Sequence, residues 1–211
     1  MIQAQEKSKL SIRTAFLVRR GSEGKDVKKY CLTDQYVLFA GEPFYRIQAL
    51  IDFGDVRKGD YGGFVQHLSN LSQYGDCWIY NSALVGGNAY VHQNAKVREQ
   101  AWVIGNAEIN YEATIRGKAV VTDGAYVSGK AIVQDGALVC EHARVTDEAI
   151  VGNGTVLAGS AWVYRWSFLM QKEIYAGQQR ISEEDPLTRE KNKFYRLHQE
   201  KIEFKKSFMW V

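Results

Sequence analysis

The chain contains no run of eighteen apolar residues, and so predicts no helical membrane span. Its first ten residues, MIQAQEKSKL, lack the apolar core of a signal peptide, and the expectation is a cytoplasmic protein. Cysteine is scarce: Cys31, Cys77 and Cys140 are an odd number without metal-ligand spacing, which points to a reducing compartment. Strong charge of either sign is missing too. The net charge is +3, and residues 77–163 hold six Lys or Arg against eight Asp or Glu, a balance of −2 that leaves +5 on the flanks. So mild an excess makes nucleic-acid or nucleotide binding a weak option, carried by the flanks with Lys96, Arg98 and Arg116. With 45% hydrophobic residues over 211 positions, the chain can still bury a sizeable core.

What the sequence has is a six-residue clock. Alanine returns at every sixth position from Ala83 to Ala149 and again at Ala161, with Thr155 on the one missing beat and Cys77 opening the series. Two residues after each small beat stands a branched aliphatic residue, from Ile79, Val85 and Val91 through to Val151, Leu157 and Val163. That makes fifteen hexads without an insertion. A fixed short period dictates the fold. The small and the branched residue are separated by one position, so both point to the same side of a short strand. Each strand is followed by a corner such as Gly86-Gly87-Asn88, Gly105-Asn106, Asp123-Gly124 or Asn153-Gly154. Gly, Asn and Asp tolerate the backbone angles of tight corners. Strands of about three residues joined by such corners can only coil around a narrow core.

The pattern V-x-x-x-A-x resembles the hexapeptide repeat of left-handed parallel β-helix proteins, in which three hexads make one turn. The resemblance covers about 90 residues. It implies an all-β fold, a single left-handed parallel β-helix of about five turns, roughly 24 Å tall. The Gly-rich lead-in Asp52 to Val65 (DFGDVRKGDYGGFV) fits no phosphate loop and reads as a bend into the first rung. This lead-in, with the hexads after it, is similar to little-characterised hexapeptide-repeat proteins of bacteriophages and prophages. That similarity implies a host protein as partner, such as a component of a nucleic-acid-directed defence system like a CRISPR effector.

The flanks leave the clock. Leu10 to Arg19, Tyr30-Cys31-Leu32, Tyr36 to Phe39 and Tyr45 to Ile51 are short strand candidates, and they suggest a β-rich cap over the exposed strand edges at the coil's end. Ser182-Glu183-Glu184-Asp185-Pro186 reads as a helix start, with Phe194, Leu197 and Ile202 at helical spacing beyond it. The expected division is therefore a cap over 1–60, the coil over 61–165, and a tail with an α-helix over 166–211.

Hexapeptide-repeat proteins include acyl-CoA-dependent transferases, which the resemblance would give a histidine base between trimer subunits. Here no loop interrupts the repeats. His92 should face outward and His142 sits on a corner, on different edges of the prism, with no carboxylate orienter for either visible in the sequence. The zinc-dependent carbonic anhydrases of this fold need three converging histidines, and His67, His92 and His142 share no face. The sequence therefore nominates no catalytic residue, no metal site and no cofactor.

The outward positions carry more information, because residues eighteen apart stack on one face. One face reads Leu84, Trp102, Val120, Leu138, Val156, with Ile104, Cys140 and Ala158 beside it and only Thr122 polar. An apolar ladder five rungs tall should be covered. The cover would be the C-terminal helix, a foreign partner, or another subunit in a homo-oligomer, dimer or trimer. A second face reads Tyr90, Glu108, Tyr126, Arg144, Trp162, beside His92, Asn110, Ser128, Thr146 and Tyr164. Aromatic anchors among polar groups are the composition of a recognition surface, with Tyr90, Tyr126, Arg144, Trp162 and Tyr164 as its candidate contacts. Stacked aromatics can equally serve the stability of the rungs. The expectation is a non-enzymatic interaction module, with the acyl-CoA-dependent transferase as the alternative.

Overall fold

The computed structural model describes residues 27–182. It is a parallel β-helix in which coils stack eighteen residues apart. A hairpin comes first, β1 (Tyr30–Phe39) antiparallel to β2 (Glu42–Ala49), followed by β3 (Tyr61–Val65) and a single 3-10 turn at Leu68–Asn70. From Trp78 onward, two-residue strands recur every six residues up to Arg180–Ile181. They form three sheets. One has nine strands, β1-β2-β3 and then the strands at Leu84, Trp102, Val120, Leu138, Val156 and Ile174. The other two have six each, running from Trp78 to Phe168 and from Tyr90 to Arg180.

The core follows from the clock. Every Ala beat from Ala83 to Ala161 and every branched beat from Val85 to Val163 is at most 1% exposed. Thr155 keeps its buried beat because its hydroxyl donates to the Gly152 carbonyl at 2.7 Å. The corners follow a rule of their own: the second residue after each branched beat takes a left-handed backbone. Gly105 does so at φ 72°, and a Cβ there would stand 2.7 Å from the Asp123 nitrogen of the coil below. Asn81, Glu99, Tyr111 and Asp123 hold the same angle with side chains.

Two expectations on extent are corrected. The helix has about seven turns rather than five. Residues 166–182, expected in the tail, form a further coil with strands at Phe168–Leu169, Ile174–Tyr175 and Arg180–Ile181. The clock continues there with Ser167 on the small beat, fully buried and donating its hydroxyl to the Tyr164 carbonyl at 2.8 Å. A partial coil also precedes the first hexad, since Phe64–Val65 pairs with Leu84–Val85 and Leu71 bridges Val91. The expected C-terminal helix and the Leu10–Arg19 strand lie outside the described residues. No helix among those residues is long and apolar enough to cross a membrane.

Stacking gives the coil a polarity. Backbone N–H groups of one coil donate to carbonyls of the next, as Trp102 does to Ala119 at 2.9 Å. The first coil therefore presents acceptors that need donors from above. Phe64, Gln66 and Ser72 donate backbone N–H groups to Ala83, Val85 and Val91. Asn70 Nδ2 donates to Gly87 and Ala89, both at 2.9 Å, and the buried Lys29 ammonium donates to Gly75 and Cys77 at 3.1 and 3.0 Å.

Candidate recognition face

The second face is a hydrogen-bonded lattice. Tyr90 pairs in register with Glu108, Glu108 with Tyr126, Tyr126 with Arg144, and Arg144 with Trp162. Each aromatic of this face therefore stands at a fixed strand position with its neighbours set by the ladder. The diagonal contacts lock the side chains further. Tyr90 and His92 stack with centroids 4.7 Å apart and planes 10° apart. His92 Nε2 lies 3.0 Å from Glu108 Oε1, and Asn110 Nδ2 donates to the same carboxylate at 2.9 Å and to the Tyr126 hydroxyl at 3.0 Å. Lower down, Trp162 Nε1 donates to Thr146 Oγ1 at 2.9 Å, Tyr164 packs 4.8 Å from the Trp162 ring, and the Arg180 guanidinium lies over the indole at 5.6 Å. Arg144 stays exposed between Tyr126 and Trp162. Asn110 is 4% exposed, and its carbonyl oxygen meets no donor among the described residues.

The fold gives His92 a carboxylate neighbour, Glu108, that was not visible in the sequence. The two residues are sixteen apart, which on an eighteen-residue coil is a diagonal neighbour one layer down. The sequence carried that signal, but a ladder read only at spacing eighteen steps over it.

At the corner beside this face lies an open groove of about 500 Å³ that spans three layers. Tyr74 contributes from the partial coil, Tyr90, His92, Gln93 and Asn94 from the first, and Tyr111 with Glu112 from the second. Among the described residues no three His, Cys, Asp or Glu side chains gather in a set that could hold a metal ion.

The apolar face has a cover that the sequence did not suggest. The tip of the β1–β2 hairpin folds over its first rungs: Phe39 meets the Trp102 ring edge-on at 4.7 Å, and Phe44 lies under the Cα of Gly86. Leu84 is buried at 8% exposure, whereas Trp102 keeps 37%. Ile104, Val120, Leu138 and Val156 are half-buried by their own stacking, and Ile174 at the foot of the ladder is exposed.

The basic residues of the third face are engaged rather than free. Lys96 Nζ and Arg98 Nη2 reach the two oxygens of Asp55 at 3.0 and 3.3 Å, and the Tyr80 hydroxyl donates to the first oxygen at 2.6 Å. Arg98 also lies 3.9 Å over the Tyr80 ring, and Arg116 Nε donates to Gln134 at 2.8 Å. Partial burial pushes the Asp55 carboxyl up, but the Tyr80 hydrogen bond and the Lys96 ammonium outweigh it and hold it at about 2.

The class these features define is a capped parallel β-solenoid with one pre-ordered aromatic face. No protein-family model matches the chain, and no curated protein matches it.

Proposed function

We propose that this protein is a rigid, non-enzymatic interaction module of the hexapeptide-repeat kind, and that the face from Tyr90 to Tyr164 is where it recognises a protein partner. One observation carries the reading: the aromatic side chains of that face are already fixed, by hydrogen bonds that run across the coils and by ring contacts within a coil. Fixing surface side chains before binding removes much of the entropy that association otherwise costs. Tyr and Trp are also the residue types that dominate binding hot spots. A phage-encoded origin and a host protein partner belong to the same proposal, and their support is the likeness of the lead-in and hexads to phage and prophage proteins.

The test is a double substitution, Tyr126→Ala with Trp162→Ala, used in affinity capture from a host lysate alongside the wild type. The expected result is loss of the partner that the wild type retains, with an unchanged circular dichroism spectrum. Capture undiminished by the double substitution would return this face to a purely structural role.

One observation favours the alternative, an acyl-CoA-dependent transferase. His92 is held by Glu108 at 3.0 Å beside an open groove, an arrangement suited to an oriented base. Calorimetric titration with acetyl-CoA separates the two readings. Saturable binding that is lost in His92→Ala would favour the enzyme, and no heat would leave the interaction module.

A further inference from the structure

The groove at the Tyr90 corner has a chemistry more specific than the rest of the face. Three tyrosines line it with large parts of their surface in water: Tyr74 is 80% exposed, Tyr111 56% and Tyr90 39%. The face of an aromatic ring is electron-rich and attracts cations. Glu112 lines the same groove, Glu108 stands behind His92, and no lysine or arginine is among the lining residues. Rings and carboxylate together favour a positive guest and disfavour an anion.

Tyr111 stands at a corner of the coil that lines the groove. It holds the left-handed backbone of its corner column at φ 53°, as Gln93, Asp147 and Arg165 do with side chains and Gly75 and Gly129 do without. Its N–H is steadied by Gln93 Oε1 at 2.6 Å, so the strained corner is firmly built. The other aromatic lining is fixed too, with His92 stacked on Tyr90 and tied to Glu108.

We infer that this groove receives a lysine or arginine side chain presented by the protein partner, with Tyr74, Tyr90 and Tyr111 around the cation and Glu112 as its counter-charge. The inference rests on the recognition reading above and gives that partner its chemistry. The guest's charged head is held by ring faces and a carboxylate, and its aliphatic stem lies along the groove floor.

The experiment is an NMR titration of the full chain with N-acetyl-argininamide, following the amide signals of Gln93, Asn94 and Tyr111, with N-acetyl-citrullinamide as the neutral isostere. The arginine probe should shift these signals saturably, and the citrulline probe should bind at least about tenfold more weakly. Tyr111→Gly relaxes the corner and removes the ring, so it should fold with no loss of melting temperature yet bind the arginine probe roughly fivefold more weakly. Glu112→Gln should weaken it in the same sense. Equal binding of both probes would overturn the inference, as would no shift at about 50 mM arginine probe or undiminished binding by Tyr111→Gly. N-acetylglucosamine shifting the same signals where the arginine probe does not would make the groove a saccharide site and overturn it as well. If the arginine probe fails while Tyr126→Ala with Trp162→Ala still loses the partner, only the groove assignment falls and the recognition face stands.

Discussion

Corner residues in a left-handed conformation work twice. Besides turning the chain, an amide or carboxylate there accepts a hydrogen bond from the corner N–H one coil below. Asn81 does this for Glu99, Glu99 for Gly117 at 2.7 Å, Asp123 for Glu141 at 3.2 Å, and Asp147 for Arg165 at 2.9 Å. Short Asn and Asp side chains reach as well as longer ones do, and Asn tolerates this backbone region better than Glu. At position 99, where φ is 63°, Glu99→Asn should therefore raise stability by up to about 1 kcal/mol in urea denaturation. Glu99→Ala keeps the strained angle and hands the exposed Gly117 N–H to water, and should cost about 1 kcal/mol, the net worth of the lost hydrogen bond. The reverse order would show that the acceptor at this corner is of no consequence. Asp55 offers a pH test at the same scale. Its carboxyl sits at about 2 in the fold against an ordinary value of 3.8, so its contribution is present above about 3.8 and fades as pH falls toward about 2. Asp55→Asn should be less stable than the wild type at neutral pH, and the gap should close over that window in acid-dependent melting curves. A gap that stayed constant down to pH 2 would refute the ionic role.

Between the residue and the whole lie the coil and its cap, and they were legible in the sequence to different degrees. Direction, register and core of every coil from Ala83 to Val163 were legible in the alternation of Ala with Val or Ile, because a small and a branched residue two apart are buried together only when the residue between them faces out. The trailing coil was hidden because Ser167, Glu173 and Gln179 occupy its small beats, and the leading one because it pairs at a spacing of twenty instead of eighteen. Ser167 resembles a loop residue until its hydroxyl is seen to bond inward, and Leu71 stands alone on its beat. The cap was visible as short strands, yet its chemistry was not. No spacing rule connects Lys29 with the Gly75 and Cys77 carbonyls, forty-six and forty-eight residues away. The same limit hid the hairpin tip over Trp102. Lys29 is a costly cap: burial pushes its ammonium below the ordinary lysine value, and the contact with Cys77 pushes back only in part. Removing it leaves carbonyls without a donor. Lys29→Met and Asn70→Ala should each lower stability by about 1–3 kcal/mol. Ile115→Ala, inside a central coil and fully buried, should cost about 2–5 kcal/mol. If both cap variants matched the wild type in equilibrium denaturation, water would be serving the first coil's acceptors and the cap would be dispensable.

At the scale of the molecule, the coil presents three faces of different chemistry, and the apolar one is where the proposal of a homo-oligomer is tested. Trp102 is a poor place to probe it, because Phe39 packs on that ring and a charge there would loosen the hairpin as well as any interface. Leu138 is better placed. It sits between Val120 and Val156 in the ladder, half-buried, with no contact to the hairpin strands in the pairing of its sheet. A glutamate at that position points outward into water in a free protomer, and the core beats Ala137 and Val139 on either side are untouched. Leu138→Glu should therefore melt within a few degrees of the wild type when both are single protomers. In a homo-oligomer joined through this face the same charge would be buried against a second apolar ladder, and the assembly would not form. Light scattering on the two proteins at equal concentration reads the difference directly. The expectation is a dimer or trimer for the wild type and a protomer for Leu138→Glu, with circular dichroism spectra that superimpose. A wild type that is already a protomer would remove the oligomer and, with it, the intersubunit site that a transferase would need. The aromatic face would then stand as the principal surface for a partner.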